Sequence, residues 1–209
     1  VGVPSVIMVA IGSVMNYFLN LILYSFSKLA VAVFGAYFKV QSMAFMPVFG
    51  LNNGMIPIIS YNYGAQKPDR MKRTMKLGVM VGCSIMVFSL AIMQGFPGQI
   101  IKIFDATDEM LLMGIPAVRI MSTAFIFAGF SVTCSGMFQA VGKGVYSMIV
   151  SMARQLFVIL PVAYFLSKAM NSVNGVWAAF PIAEVFSVII STIFLLRVYK
   201  KIVKPMESV

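Results

Sequence analysis

The sequence predicts an all-α integral membrane protein of six transmembrane helices. Three observations predict it. Only 11% of the residues are charged and 60% are hydrophobic, whereas a water-soluble domain carries about a quarter charged residues. The apolar residues gather into six runs, each near or above the ~20 residues that cross a hydrocarbon core of ~30 Å. Lysine and arginine fall in the short gaps between those runs, as they do in loops that meet anionic headgroups.

In order along the chain, the expected spans are 3–26, 31–61, 77–101, 110–141, 146–166 and 173–196. Pro4 sits near the start of the first, where a missing N–H costs least. The second and fourth are over-long, so each is expected to project beyond the bilayer or to bend. Pro47 and Pro57 each remove a backbone donor from the second and can kink it. Segment 64–76, GAQKPDRMKRTMK, reads as a glycine cap at Gly64 followed by a short basic surface helix or a solvated loop, with Pro68 opening the next element. Asp69 and Arg73 are spaced for an i,i+4 pair.

Loop charge sets the expected orientation. Lys67, Arg70, Lys72, Arg73 and Lys76 follow the second span, Lys143 follows the fourth, and Arg197, Lys200, Lys201 and Lys204 lie in the tail 197–209. The remaining gaps hold Lys28, Lys102 and Lys168. Ten against three places the first set, and both ends of the chain, in the cytoplasm. A formal charge of +10 is thereby explained without a nucleic-acid partner.

With no histidine, imidazole acid–base chemistry and imidazole metal ligands are excluded. Cys83 and Cys134 lie in separate apolar runs, without metal-ligand spacing, and read as small packed side chains rather than a disulfide. No metal site and no cofactor are expected. The chain opens at Val1 with no basic leader and cleavage site, and the expectation is that an N-terminal part of a longer protein precedes it.

Ionisable residues inside a membrane are costly and point to function. Lys39, Arg119, Arg154 and Glu184 are the four within the spans. At ~1.5 Å per residue, Arg119 and Glu184 lie ~14 and ~16 Å below the outer ends of their spans, near the midplane. Lys39 and Arg154 lie ~12 Å from the nearer end and can partly snorkel. Depth therefore pairs Glu184 with Arg119, as a structural counter-ion rather than a coupling site. Gln41, Ser42, Asn52 and Asn53 add polar groups to the second span, and Asn16 and Asn20 share one face of the first. Each amide alone reads as an interhelical hydrogen bond. Their concentration on the first two spans favours a cavity wall there. Eighteen methionines and eighteen phenylalanines read first as packing, though methionine also suits promiscuous pockets.

The chain resembles, over its whole length, the C-terminal lobe of the multidrug and toxic compound extrusion (MATE) family. The resemblance is carried by GVPS at 2–5, FKVQSMAFMPVFGLNNGMIPIISYNYGA at 38–65, FDATDEML at 104–111, FQAVGK at 138–143 and GVWAAFPIAE at 175–184. It implies a twelve-helix protein of two six-helix lobes. The six spans here would be the seventh to twelfth helices, and the partner lobe would lie outside this chain. A cavity between the lobes would open alternately to each side while proton or sodium entry drives export of a small organic substrate. Some members place an acidic cation ligand on the first and fourth helices of this lobe, where this chain has Asn16, Asn20 and Arg119. Others use an aspartate of the N-terminal lobe.

The expected function is thus a cation-coupled antiporter, with Asn16, Asn20, Lys39, Gln41, Asn52, Asn53, Arg119 and Glu184 as candidate cavity, substrate or ion residues. A flippase for lipid-linked saccharides, of related fold, is the alternative, because a cationic cavity suits a pyrophosphate headgroup. An intramembrane enzyme would need nucleophile, base and electrophile together, and no such set is visible. Embedded charges and proline-broken helices argue against an inert scaffold. The orientation is open to direct test. In a background lacking Cys83 and Cys134, cysteines placed at Lys72 and Lys201 should be labelled only from the cytoplasm, and one at Asp108 only from outside. Labelling of all three from one face would defeat the six-span topology.

Overall fold

A computed structural model describes residues 2–206. Val1 and the last three residues of the expected tail lie outside the described residues. The described chain is all-helical: α1 (Gly2–Tyr24), α2 (Lys28–Gly64), α3 (Pro68–Gly95), the short α4 (Pro97–Lys102), α5 (Asp108–Ser122), α6 (Phe125–Ala140), α7 (Gly144–Met152), α8 (Leu160–Ala169), α9 (Asn174–Val198) and α10 (Lys204–Met206). Two π-helical segments, Ala153–Ile159 and Tyr199–Val203, join α7 to α8 and α9 to α10 without a break. Five of the resulting helices are long and apolar enough to cross a membrane, and six if α5 and α6 count as one bent span.

The outside of the bundle is as apolar as its inside. On α1, Ile11, Met15, Leu19 and Leu23 recur every four residues and are buried, while Val3, Val6, Val9, Tyr17, Phe18 and Leu21 are exposed. Such a surface is stable against acyl chains and not against water. α6 lies at the centre, packed on α2, α3, α7 and α9.

Ser27 starts α2, its hydroxyl accepting a hydrogen bond from the Ala30 N–H at 3.0 Å. The helix then runs 37 residues through both Pro47 and Pro57 as one element. That is ~55 Å of helix, well beyond a ~30 Å core. Its left-handed residue comes two positions later than a cap at Gly64 would have placed it. The Lys67 N–H reaches the Asn62 carbonyl at 2.9 Å and the Gln66 N–H reaches Tyr63 at 3.2 Å. This six-to-one closure puts the left-handed residue at Gln66, with φ of 52°, and leaves Gly64 helical. The same closure recurs after α6. Lys143 N–H bonds Phe138 at 2.7 Å, and the left-handed residue there is Gly142, with φ of 74°.

Pro68 opens α3 directly, so segment 68–76 is neither a separate surface helix nor a loop but the first turns of a helix that continues to Gly95. Asp69 pairs with Lys72 at 3.4 Å, three residues on, rather than with Arg73. The helix breaks at Phe96, and Pro97 starts α4. Thr107 caps α5, with Asp108 and Glu109 in the favourable first turn.

α5 and α6 meet at a bend of 50° around Thr123 and Ala124. Tightened bonds carry the chain across it, Thr123 N–H to Ile120 at 3.3 Å and Ala124 N–H to Met121 at 3.2 Å. Side chains satisfy the loosened carbonyls: the Thr123 hydroxyl donates to Ile120 at 2.7 Å and the Gln94 amide to Arg119 at 2.8 Å. The π-helical segment Ala153–Ile159 has a local cause too. Pro161 offers no N–H to the Phe157 carbonyl and crowds it, and a wider turn relieves both.

α3 and α6 cross almost backbone to backbone. A Cβ on Gly129 would stand 2.9 Å from the Cys83 Cα and from the Gly82 carbonyl oxygen. Neither neighbour is a flexible side-chain end, so the helices would have to part. Gly129→Ala should therefore destabilise the protein by about 1–3 kcal/mol, seen as a lower melting temperature in detergent. Gly35→Ala, with no atom within 4 Å of the added carbon, should leave it unchanged or raise it slightly through helix propensity. Equal melting temperatures for the two variants would show that the crossing is not tight.

Candidate functional site

Two adjoining cavities enter the bundle. The first, of about 370 Å³, is walled by α1, α2, α6, the π-helical segment and α9. Five phenylalanines contribute to its wall: Phe38, Phe45, Phe49, Phe125 and Phe180. Phe45 and Phe125 meet edge to face at 5.5 Å. Polar groups are few: Asn16 from α1, Gln41 and Ser42 from α2, Arg154 and Gln155 from the π-helical segment, and Glu184 from α9. The second cavity, of about 420 Å³, is hydroxyl-rich, with Ser131, Ser135, Ser147, Ser151 and Ser187 beside Asn52, Asn53 and Gln139. Phe49, Val132, Arg154 and Gln155 belong to both walls.

Helical spacing explains the assembly. On α2, residues 38, 41, 45, 49 and 52 advance by three or four and so form one stripe. On α9, Phe180, Glu184 and Ser187 do the same. Asn52 fits because Gly136 faces it: a Cβ there would stand 2.8 Å from the Asn52 Oδ1. The Asn52 amide then donates to the Val132 carbonyl at 3.0 Å, tying α2 to α6.

The central electrostatic feature is an ion pair. The Arg154 guanidinium donates from Nη1 to Glu184 Oε1 at 2.6 Å, joining the π-helical segment to α9. Glu184 is 7% exposed. The Arg154 end has a further anchor, since Gln155 next to it donates to the Ser151 hydroxyl at 2.6 Å. Several buried polar atoms around the pair have no hydrogen-bond partner among the described residues: Asn16 Oδ1, Gln41 Oε1, Glu184 Oε2, Arg154 Nε and Ser187 Oγ.

The pairing expected from depth, Glu184 with Arg119, is not the one formed. α5 presents Gly114, Ala117, Val118 and Met121 to the bundle. Arg119 stands about 100° or more round the helix from those positions, is exposed, and lines neither cavity. Of the other candidates, Asn16 and Gln41 line the first cavity, and Asn52 and Asn53 the second. Lys39 is exposed with its Nζ 5.8 Å from the centre of the Phe104 ring, and Asn20 is half-buried; neither lines a cavity. Among the described residues, no group of three acidic or cysteine side chains is placed to hold a metal ion.

The sequence reading missed Arg154 as a cavity residue, together with Gln155 and the five phenylalanines. Arg154 was visible as a charge within a span, and Pro161 seven residues on was the signal that the helix would re-register there. The phenylalanines carry no signal of their own, because the same side chain serves core, cavity and lipid face.

Comparison with known proteins agrees with this architecture. The MatE family model matches residues 4–165. The chain is 25% identical over 178 residues to the multidrug export protein MepA of Staphylococcus haemolyticus, covering 85% of this chain and 39% of that protein. It is 27% identical over 178 residues to MepA of Staphylococcus saprophyticus, with the same coverage. Among solved structures, a MOP superfamily transporter from Pyrococcus furiosus, described as having a binding pocket of reverse polarity, superposes with a TM-score of 0.90 at 20% identity. That match covers 99% of this chain and 46% of the other. The chain thus spans about two fifths of the length of these curated relatives and a little under half of the solved transporter. The match of the family model over most of the chain, on a fold of about six candidate spans, places the chain in the MatE family, a family of multi-pass membrane transporters and not of enzymes.

Proposed function

We propose that the chain is the C-terminal six-helix lobe of a cation-coupled antiporter, driven by proton or sodium entry, that exports organic compounds by alternating access. Both ends of the chain face the cytoplasm in this reading, as loop charge requires. One observation carries it. A cavity lined in part by five phenylalanines, yet holding an ion pair and two amide oxygens with no hydrogen-bond partner among the described residues, lies within the bundle and reaches its α2 side, where Met46 and Phe49 are exposed. Inert packing has no need of such groups in hydrocarbon. The partner for that side is the other lobe. The relatives whose names declare multidrug export supply the substrate class.

In this reading Glu184 is the counter-ion of Arg154, and the group that binds the coupling ion belongs to the other lobe. The flippase alternative rested on a cationic cavity. Lys39 and Arg119 line neither cavity, and Glu184 offsets the charge of Arg154, so drug-like export is favoured.

Two measurements test the proposal. Full-length protein in liposomes should export an organic substrate when a proton or sodium gradient is imposed, and this 209-residue chain alone should not. Robust gradient-driven export by the chain alone, as a monomer, would refute the half-transporter reading. For the ion pair, Glu184→Gln alone should cost about 3–5 kcal/mol by stranding Arg154. Combined with Arg154→Gln it should recover much of that loss, so the two changes should be strongly non-additive. The same cycle with Arg119→Gln should be additive.

A further inference from the structure

We propose that the end of the bundle where the loop cations gather binds an anionic phospholipid, its phosphate held between Lys143 and Arg197 and an acyl chain lying along α9. The proposal goes beyond the transport reading and does not rest on it, and the site serves in whichever leaflet that end lies.

The site is built on an aromatic stack. Tyr146 of α7 and Phe194 of α9 lie face to face, with ring centres 4.4 Å apart and planes inclined by 6°. Phe138 is fully buried and meets both edge to face, at 6.0 and 6.2 Å. Three rings locked in this way fix the ends of α7 and α9 against each other. α7 runs away from this end of the bundle and α9 runs toward it. Lys143, three residues before Tyr146, and Arg197, three residues after Phe194, therefore both stand about one turn beyond the stack on the same side. Packed helices lie about 8–10 Å apart, which leaves both cations within reach of one phosphate group. The Arg197 guanidinium is steadied over the Phe194 ring, 5.8 Å from its centre, and its fork matches phosphate oxygens.

Charge and exposure name the ligand. Lys143 and Arg197 are exposed, and neither has a carboxylate partner among the described residues. Asp69, the one acidic side chain described at this end, pairs with Lys72. Lys200 and Lys201 add exposed positive charge about one turn beyond Arg197. A soluble anion would have no use for apolar surface beside these cations, and α9 supplies such a surface. Phe186, Ile189, Ile193 and Arg197 follow one another at three or four residues and so form one stripe. Its three apolar members are 48%, 52% and 46% exposed. The stripe leads from the guanidinium into the hydrocarbon, as an acyl chain leads from its phosphate. Each cation at such a surface strengthens the attraction to anionic headgroups about fivefold.

The test is photocrosslinking in a bilayer. Benzoylphenylalanine is placed at Ile193 of the full-length protein, one turn below Arg197 on the stripe. The protein is reconstituted in vesicles of equal parts phosphatidylglycerol and phosphatidylcholine with identical acyl chains, and the captured lipid is identified by mass spectrometry. Phosphatidylglycerol should be captured about fivefold or more over phosphatidylcholine. Lys143→Gln combined with Arg197→Gln should bring that ratio close to one. Lys28→Gln combined with Lys168→Gln, which removes two exposed cations of the opposite end, should leave it unchanged. All four side chains are exposed, so the protein should fold in both double variants. A large excess of inorganic phosphate should not compete with the lipid. Equal capture of the two lipids, a preference that survives the loss of Lys143 and Arg197, an equal loss in the control pair, displacement by free phosphate, or capture of protein in place of lipid would each overturn the proposal.

Discussion

Every backbone N–H and C=O in this bundle must find a partner within protein, because the surrounding hydrocarbon offers none. The helical fold follows at once, and so does the way each helix is interrupted. α2 and α6 end in the same six-to-one closure, at Gln66 and Gly142, which ties off carbonyls at the helix end. The bend between α5 and α6 keeps its backbone occupied through tightened bonds and through the Gln94 and Thr123 side chains. The helix of α7 and α8 meets Pro161 by widening rather than breaking. No interruption among these leaves an open loop in the middle of a span.

The same constraint applied to charge accounts for the centre of the bundle. Arg154 and Glu184 come from elements thirty residues apart in sequence and meet because the π-helical segment packs on α9. Around them the side chains divide in part by chemistry. Phenylalanines concentrate in one cavity and serine hydroxyls in the other, amides occur in both, and Arg154 and Gln155 belong to both walls. Arg154 thus borders both cavities, while Glu184 borders the first.

Much of the fold was legible in the sequence, because hydrophobic run length reports directly on membrane thickness. Helix ends were less so. Apolar composition marks where hydrocarbon begins, whereas the hydrogen-bond ladder of α3 begins nine residues earlier than the expected span, at Pro68. The site was legible where a polar side chain interrupts an apolar run, as at Asn16, Gln41, Asn52, Asn53 and Glu184. It was illegible where direction round the helix decides. Depth alone ranked Arg119 as the partner of Glu184, but depth is one coordinate. The packing face of α5 supplied the other, and pointed Arg119 away.

The π-helical segment has a consequence for how the bundle tolerates change. A wide turn holds one residue more than an α-turn needs, so Ala153–Ile159 carries a register offset between the two halves of a single helix. Substitution leaves that offset in place. Deletion of one residue within the segment would erase it, turning α7 by about 100° against α8 and carrying Arg154 out of line with α9. The spacing between Gly144 and Pro161, more than the identity of most residues there, is therefore what keeps Arg154 facing α9.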